Sequence, residues 1–117
     1  MKDSRQELGL TGEDQALQYL LSKGYILIGR NLRLFWGEID ILMADPRAKN
    51  TLVIVEVKTK SSQDFGLAAD MITLKKKRKL QQLAKALWQK FPRKNIRIDV
   101  VAIDQDQINH IVSAVEE

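Results

Sequence analysis

No cysteine occurs in the 117 residues, which excludes disulfides and thiolate metal sites. No apolar run approaches the roughly 18 residues of a membrane span; the longest are short, such as Leu52 to Val55. The opening MKDSRQELGL has no apolar core of the kind a secretory signal needs. A cytoplasmic location without membrane contact is therefore the default expectation. Internal repeats, low-complexity tracts and domain linkers are missing too. At 13.4 kDa there is little room for a second domain, so residues 1–117 are read as one. The hydrophobic fraction of 44% is ordinary for a chain burying a single core.

The most informative absence is local. Between Leu74 and Ile98 there is no acidic residue, and 10 of the 19 basic residues fall in that stretch. All 15 acidic residues and the other 9 basic ones lie elsewhere, so the net charge of +4 understates one concentrated positive segment. Such a segment needs a partner or an explanation.

Periodicity gives the elements. A first helix is expected from Gly12 to Lys23, with Thr11 and Asp14 at capping-box spacing and Gly24 suited to a left-handed C-terminal position. Its apolar stripe is Ala16, Leu17, Leu20 and Leu21. One turn back, that stripe meets Glu13, with Gly9 and Gly12 close by, where something could approach closely. Glu13 therefore has two readings: an inward functional carboxylate, or a first-turn acid favoured by the helix dipole.

Strands are expected at Tyr25–Arg33, Gly37–Ala44 and Thr51–Lys58, the last two separated by a polar turn at Asp45–Asn50. A loop from Thr59 to Gly66 precedes a long helix, about Thr73 to Phe91, with the stripe Leu80, Leu83, Ala84, Leu87, Trp88 and Phe91, ended by Pro92. Ile96–Ile103 and Gln107–Val112 complete an α-β-β-β-α-β-β order: a mixed α/β domain with one sheet flanked by helices.

Two strands break their own hydrophobic logic. Glu38 and Asp40 alternate with Ile39 and Ile41, and Glu56 and Lys58 follow Ile54 on one face of the third strand. Along an extended strand their Cα atoms should lie about 6.5–7 Å apart. Charges at the end of an apolar row are costly unless paired, and such deviations mark functional positions. A strand-end ion pair of Glu56 with Lys58, with Asp40 facing Lys58 across the sheet, is the plain alternative. The combination also suits a hard cation such as Mg²⁺, held by Asp40, Glu56 and the Val57 carbonyl, with Lys58 orienting a nucleophile or binding phosphate.

At these residues the chain resembles the PD-(D/E)xK nuclease superfamily. More closely it resembles the bacterial YraN or UPF0102 family of predicted endonucleases, related to archaeal Holliday-junction resolvases. The likeness runs through Gly9-Leu10-Thr11-Gly12-Glu13, Gly24-Tyr25, Arg30-Asn31-Leu32-Arg33 and Gly37-Glu38-Ile39-Asp40. It continues through Val55-Glu56-Val57-Lys58-Thr59-Lys60, Phe65-Gly66 and Arg97-Ile98-Asp99-Val100-Val101. Lys60 stands where that family commonly has arginine, and Ile98 where it often has an aromatic.

The resemblance implies a restriction-endonuclease-like fold, catalytic Glu13, Asp40, Glu56 and Lys58, and a Mg²⁺ or Mn²⁺ cofactor. The implied substrate is DNA, branched or structured, for which a homodimer would match two-fold symmetry. A catalytically silent nucleic-acid-binding module of the same fold is the alternative. Lys75, Lys76 and Lys79 are expected on the phosphate backbone, with Arg30, Arg33 and Lys60 extending the track. Phe35 and Trp36 are expected in the core, with base stacking or a dimer contact as alternatives, and Trp88 in packing. Asp99 and Arg97 share a strand face and are read as a structural ion pair; a lone His110 is not read as a ligand.

Overall fold

In a computed structural model, described over residues 11–60, 72–104 and 107–116, one mixed five-stranded sheet carries a helix on each face. The elements are α1 (Gly12–Ser22), β1 (Ile26–Leu34), β2 (Gly37–Ala44), β3 (Thr51–Lys60), α2 (Leu74–Lys90), β4 (Asn95–Asp104) and β5 (Gln107–Val115). The strands lie in chain order; β3 and β4 are parallel, and the other neighbours are antiparallel. The parallel pair needs a crossover, and α2 lies within that connection. The expected α/β class and element order are those of the structure.

The local signals act as read. Thr11 accepts from the Asp14 amide while the Asp14 carboxylate reaches back to Thr11, a complete capping box, and Gly24 has φ +92°. Thr73 caps α2 by accepting from the Lys76 amide. Strand β1 begins at Ile26 rather than Tyr25, and β5 runs three residues beyond the expected Val112.

Two separate cores hold the layers together. Leu80, Leu83, Ala84 and Leu87 of α2 pack with Leu42, Ile54, Ile98 and Val100 on one face. Ala16 and Leu20 of α1 pack with Ile41, Met43, Val53, Val55, Val101 and Ile103 on the other. Burial on both faces is why β3 and β4 read as continuous apolar runs rather than alternating strands. Each fully buried leucine contributes about 1.5–3 kcal/mol. Strand β1 is an edge of the sheet, and Ile26, Leu27 and Ile28 in succession are exposed there.

Three aromatic assignments are corrected. Phe35 is 92% and Trp36 47% exposed, because the β1–β2 hairpin overhangs the sheet where β3 no longer accompanies it. Trp88 is half exposed: Leu87 occupies the core-facing position beside it, which leaves the indole on a rim with Gln81, Ala84 and Lys85.

Candidate functional site

The site is a fork in the sheet. The β2–β3 ladder ends at Ile41 opposite Val55, whereas β1–β2 continues to Leu34–Gly37 and β3–β4 to Lys60–Asp104. One step past the last rung stand Asp40 on one prong and Glu56 on the other. Had the ladder continued, Asp40 would face Glu56, not Lys58 as the ion-pair alternative supposed.

The strand around Asp40 is kinked as well. Ile39 packs in the α2-side core and Ile41, two residues on, in the α1-side core, so strict alternation fails between them. Opposite this break, Asn31 takes φ +53°, a left-handed conformation that asparagine tolerates better than most residues. The expectation that Glu38 and Asp40 simply share one regular face is therefore corrected. The kink lets Asp40 meet Glu13 of α1 while its charge also acts on Glu56.

Helix α1 reaches the fork because Gly12 has no side chain. A Cβ there would lie 2.7 Å from Thr59 Oγ1 and 3.7 Å from Val57 Cγ1. The next residue, Glu13, comes close enough to Asp40 for the two carboxyl groups to act on each other. Burial first, then the neighbouring Asp40 carboxylate, hold the Glu13 carboxyl above its usual range, against the pull of Arg30. Arg30 sits 3.0 Å from Asp14 and 3.9 Å from Glu13, so the cation expected on a nucleic-acid track fastens β1 to the start of α1.

On the other prong, Glu56 is mostly buried, and burial raises its pKa more than neighbouring cations lower it. Its ion pair is with Lys76 of α2, at 3.3 Å. Among the described residues Lys58 has no close ion pair, and its charge acts on Glu56 at longer range. Glu56, Val57, Lys58, Ile72, Thr73 and Lys76 line a depression of about 330 Å³. The strand-end pairing read from sequence thus involves a different lysine, one that only the packing of α2 supplies.

Two carboxylates, Asp40 and Glu56, and a strand carbonyl are donors of the kind a hard cation takes, and burial, as the largest cause, raises the carboxyl pKa values of Glu13 and Glu56. Among the described residues no three His, Cys, Asp or Glu side chains form a cage by themselves. Lys75, Lys76, Arg78 and Lys79 line a larger, open depression of about 760 Å³ at the start of α2. That first turn carries no acid. Arg33 is exposed near the hairpin tip, and the Lys60 side chain, like Gly9, Phe65 and Gly66, lies outside the described residues.

Sequence reasoning paired Arg97 with Asp99 and missed the rest of a buried network. Asp99, fully buried, accepts from Arg97 Nε and Nη2 at 2.9 Å each, lies 2.8 Å from His110 Nε2 and accepts from the Ser113 amide at 3.0 Å. Arg97 also donates to Asp45 and to the Tyr25 hydroxyl, each at 3.0 Å. The register shift of β5 opposite Asp99, with Ser113 at φ +54°, is what turns that amide toward the carboxylate. The partners are 2 to 74 positions from Asp99 in the chain, so only the Arg-x-Asp spacing was a visible signal.

No helix among the described residues is long and apolar enough to cross a membrane. Residues 12–103 match the family described as "Uncharacterised protein family UPF0102". A UPF0102 protein of Thermodesulfovibrio yellowstonii is 40% identical, over 95% of this chain and 97% of its own length. One from Herminiimonas arsenicoxydans is 39% identical over 98% of this chain and 91% of its own, and one from Mycolicibacterium smegmatis 40% over 86% and 82%. With a family match across both described helices and strands β1 to β4, and relatives aligned almost end to end, the chain belongs to the UPF0102 family.

Proposed function

We propose that the protein is a metal-dependent endonuclease acting on DNA, with Asp40, Glu56 and Lys58 at its centre. The observation that carries this reading is the sheet fork: it brings Asp40 and Glu56 to facing prongs, keeps Lys58 two residues further along, and opens beside the basic first turns of α2. The resemblance to the PD-(D/E)xK nucleases, which have a restriction-endonuclease-like fold, agrees with it.

Asp40, Glu56 and the Val57 carbonyl would hold Mg²⁺ or Mn²⁺. When bound, such an ion lowers the pKa of a coordinated water and offsets charge on the scissile phosphate. Glu13 lies beside Asp40 and, with its carboxyl pKa raised, would donate to the Asp40 carboxylate and position it. Lys58 presents an ammonium to a phosphate oxygen or to the attacking water. Lysines in the first turn of a helix oppose its dipole, at about 0.3–1 kcal/mol each, so phosphates seated there would relieve that repulsion. A homodimer would present two such sites to a branched, two-fold symmetric substrate.

A binding module without catalysis is the second reading, and the Lys76–Glu56 ion pair favours it by occupying one of the two carboxylates. Cleavage of labelled duplex, single-stranded, flap and four-way-junction DNA separates the two. Wild type is compared with Asp40→Ala and Lys58→Ala in Mg²⁺, Mn²⁺ or EDTA. Metal-dependent cutting lost in both variants supports the nuclease. Salt-sensitive binding without cutting in any metal refutes it in favour of the module.

A further inference from the structure

We propose that the tip of the β1–β2 hairpin is a stacking site for an unpaired nucleobase. The proposal rests on the reading of this chain as one that takes nucleic acid, and it adds where the substrate is gripped and which feature is selected.

The hairpin closes through a two-residue loop, Phe35-Trp36, between the paired Leu34 and Gly37. Such loops ordinarily carry Asn, Asp or Gly, whose backbones accept positive φ. Here neither loop residue has positive φ, and Gly37, at +148°, absorbs the turn instead. Two large aromatics thus stand where turn chemistry does not ask for them. Their rings meet edge to face, with centroids 5.0 Å apart, and Phe35 is almost wholly exposed. A pair so arranged leaves π-faces that neither ring covers, on an already ordered platform.

The surroundings indicate what the platform takes. Beside the rings is an open depression of about 450 Å³, bordered by Arg33, Glu38 and Lys79. Arg33 and Glu38 are cross-strand partners and offset each other. Lys79 lays its stem across the turn where Gly37 leaves room, since a Cβ there would meet Lys79 Cε at 2.7 Å.

Lys79 also borders the basic depression at the start of α2, and Lys76 of that depression borders the one containing Glu56 and Lys58. The three depressions therefore adjoin through shared lysines, from the aromatic tip to the candidate site. Aromatic rings leading into a cationic groove match a nucleic-acid strand, whose bases stack and whose phosphates are anionic. An apolar protein anchor would have no use for the cationic continuation. Asp40 lies four positions beyond Trp36, about 13 Å at strand spacing, or about four base steps of a duplex strand.

The test uses two short labelled duplexes in EDTA, alike except that one carries a single unpaired 2-aminopurine. Affinity is read by anisotropy, and stacking by 2-aminopurine emission. Wild type should bind the bulged duplex more tightly and change its emission on binding. Phe35→Ala and Trp36→Ala should each weaken bulged-duplex binding roughly five- to hundredfold, the range one base–aromatic stack supports. Both should remove the emission change and leave paired-duplex affinity as it was, while Phe35→Tyr should keep all three properties. Both side chains are exposed, so unchanged melting curves will show the variants folded.

Equal affinity for the two duplexes, or alanine variants that bind like wild type, would overturn the stacking site and leave the nucleic-acid reading standing. No affinity for either duplex would overturn both. Self-association that disappears in Phe35→Ala would assign the tip to a second copy of this chain and overturn the proposal.

Discussion

Replacing Asp99 by alanine should cost about 3–5 kcal/mol of folding stability, the usual penalty for removing one member of a buried ion pair. The magnitude follows from what is left behind. Asp99 is fully buried and accepts from both Arg97 nitrogens and the Ser113 amide, with His110 in contact. Without it the guanidinium, whose side chain is only 15% exposed, keeps Asp45 and Tyr25 but loses its two shortest bonds. The Ser113 amide loses its acceptor as well. Against a typical total of about 5–15 kcal/mol, the loss is a large fraction. Urea unfolding followed by circular dichroism measures it, and the midpoint should fall with little change in slope.

The pH dependence supplies an independent check. Burial alone would raise the pKa of Asp99, but His110, Arg97 and the Ser113 amide together hold it below the usual carboxylate range, and Asp45 is held down in a similar way. A depressed folded-state pKa gives stability that is present above the unfolded value, about 3.9, and is lost as pH falls through the folded one. Wild type should therefore lose stability on acidification below about pH 4, and Asp99→Ala should show a shallower acid limb. A loss under about 1 kcal/mol with an unchanged acid limb would refute the reasoning, because it would place Asp99 at the level of an exposed ion pair.

Gly12→Ala should destabilise by about 1–3 kcal/mol, the cost of overpacking a tight contact, and Thr59→Ala should recover part of it in the double variant by urea unfolding. Leu87→Ala should cost about 2–5 kcal/mol in the same assay, since the residue is buried in the α2-side core. Lys76→Ala should weaken DNA binding similarly for all sequences and lower the salt slope by about one counterion; an unchanged slope in anisotropy titrations would remove Lys76 from the phosphate track. Mg²⁺ or Mn²⁺ should raise the melting temperature of wild type but not of Asp40→Asn, through preferential binding to the folded state; equal shifts in a thermal-shift assay would place the ion elsewhere.

The fold was legible because its signals are local. Capping residues, the α2 stripe and the doubly buried runs of β3 and β4 declare their elements within a few positions. The placing of Asp40 near Glu13 and Glu56 was legible only in part, since it depends on where a ladder stops and on a kink in β2 opposite Asn31. Lys76 as the partner of Glu56 was not legible, because it lies twenty positions further on, in the helix of the crossover. The aromatic loop was misassigned for a related reason. Composition says that Phe and Trp are usually buried, but it cannot show that β3 leaves the hairpin early.

Among the described residues, the exposed run Ile26-Leu27-Ile28 on the β1 edge is a surface that could template another strand. None of those three side chains is charged; an irregularity of register between Leu27 and Gly29 interrupts the edge, and beyond it the defence against edge-to-edge growth is the repulsion between like molecules of net charge +4. That defence reaches about 10 Å in 0.1 M salt and about 3 Å in 1 M. Colloidal stability should therefore fall as ionic strength rises, even while each molecule stays folded.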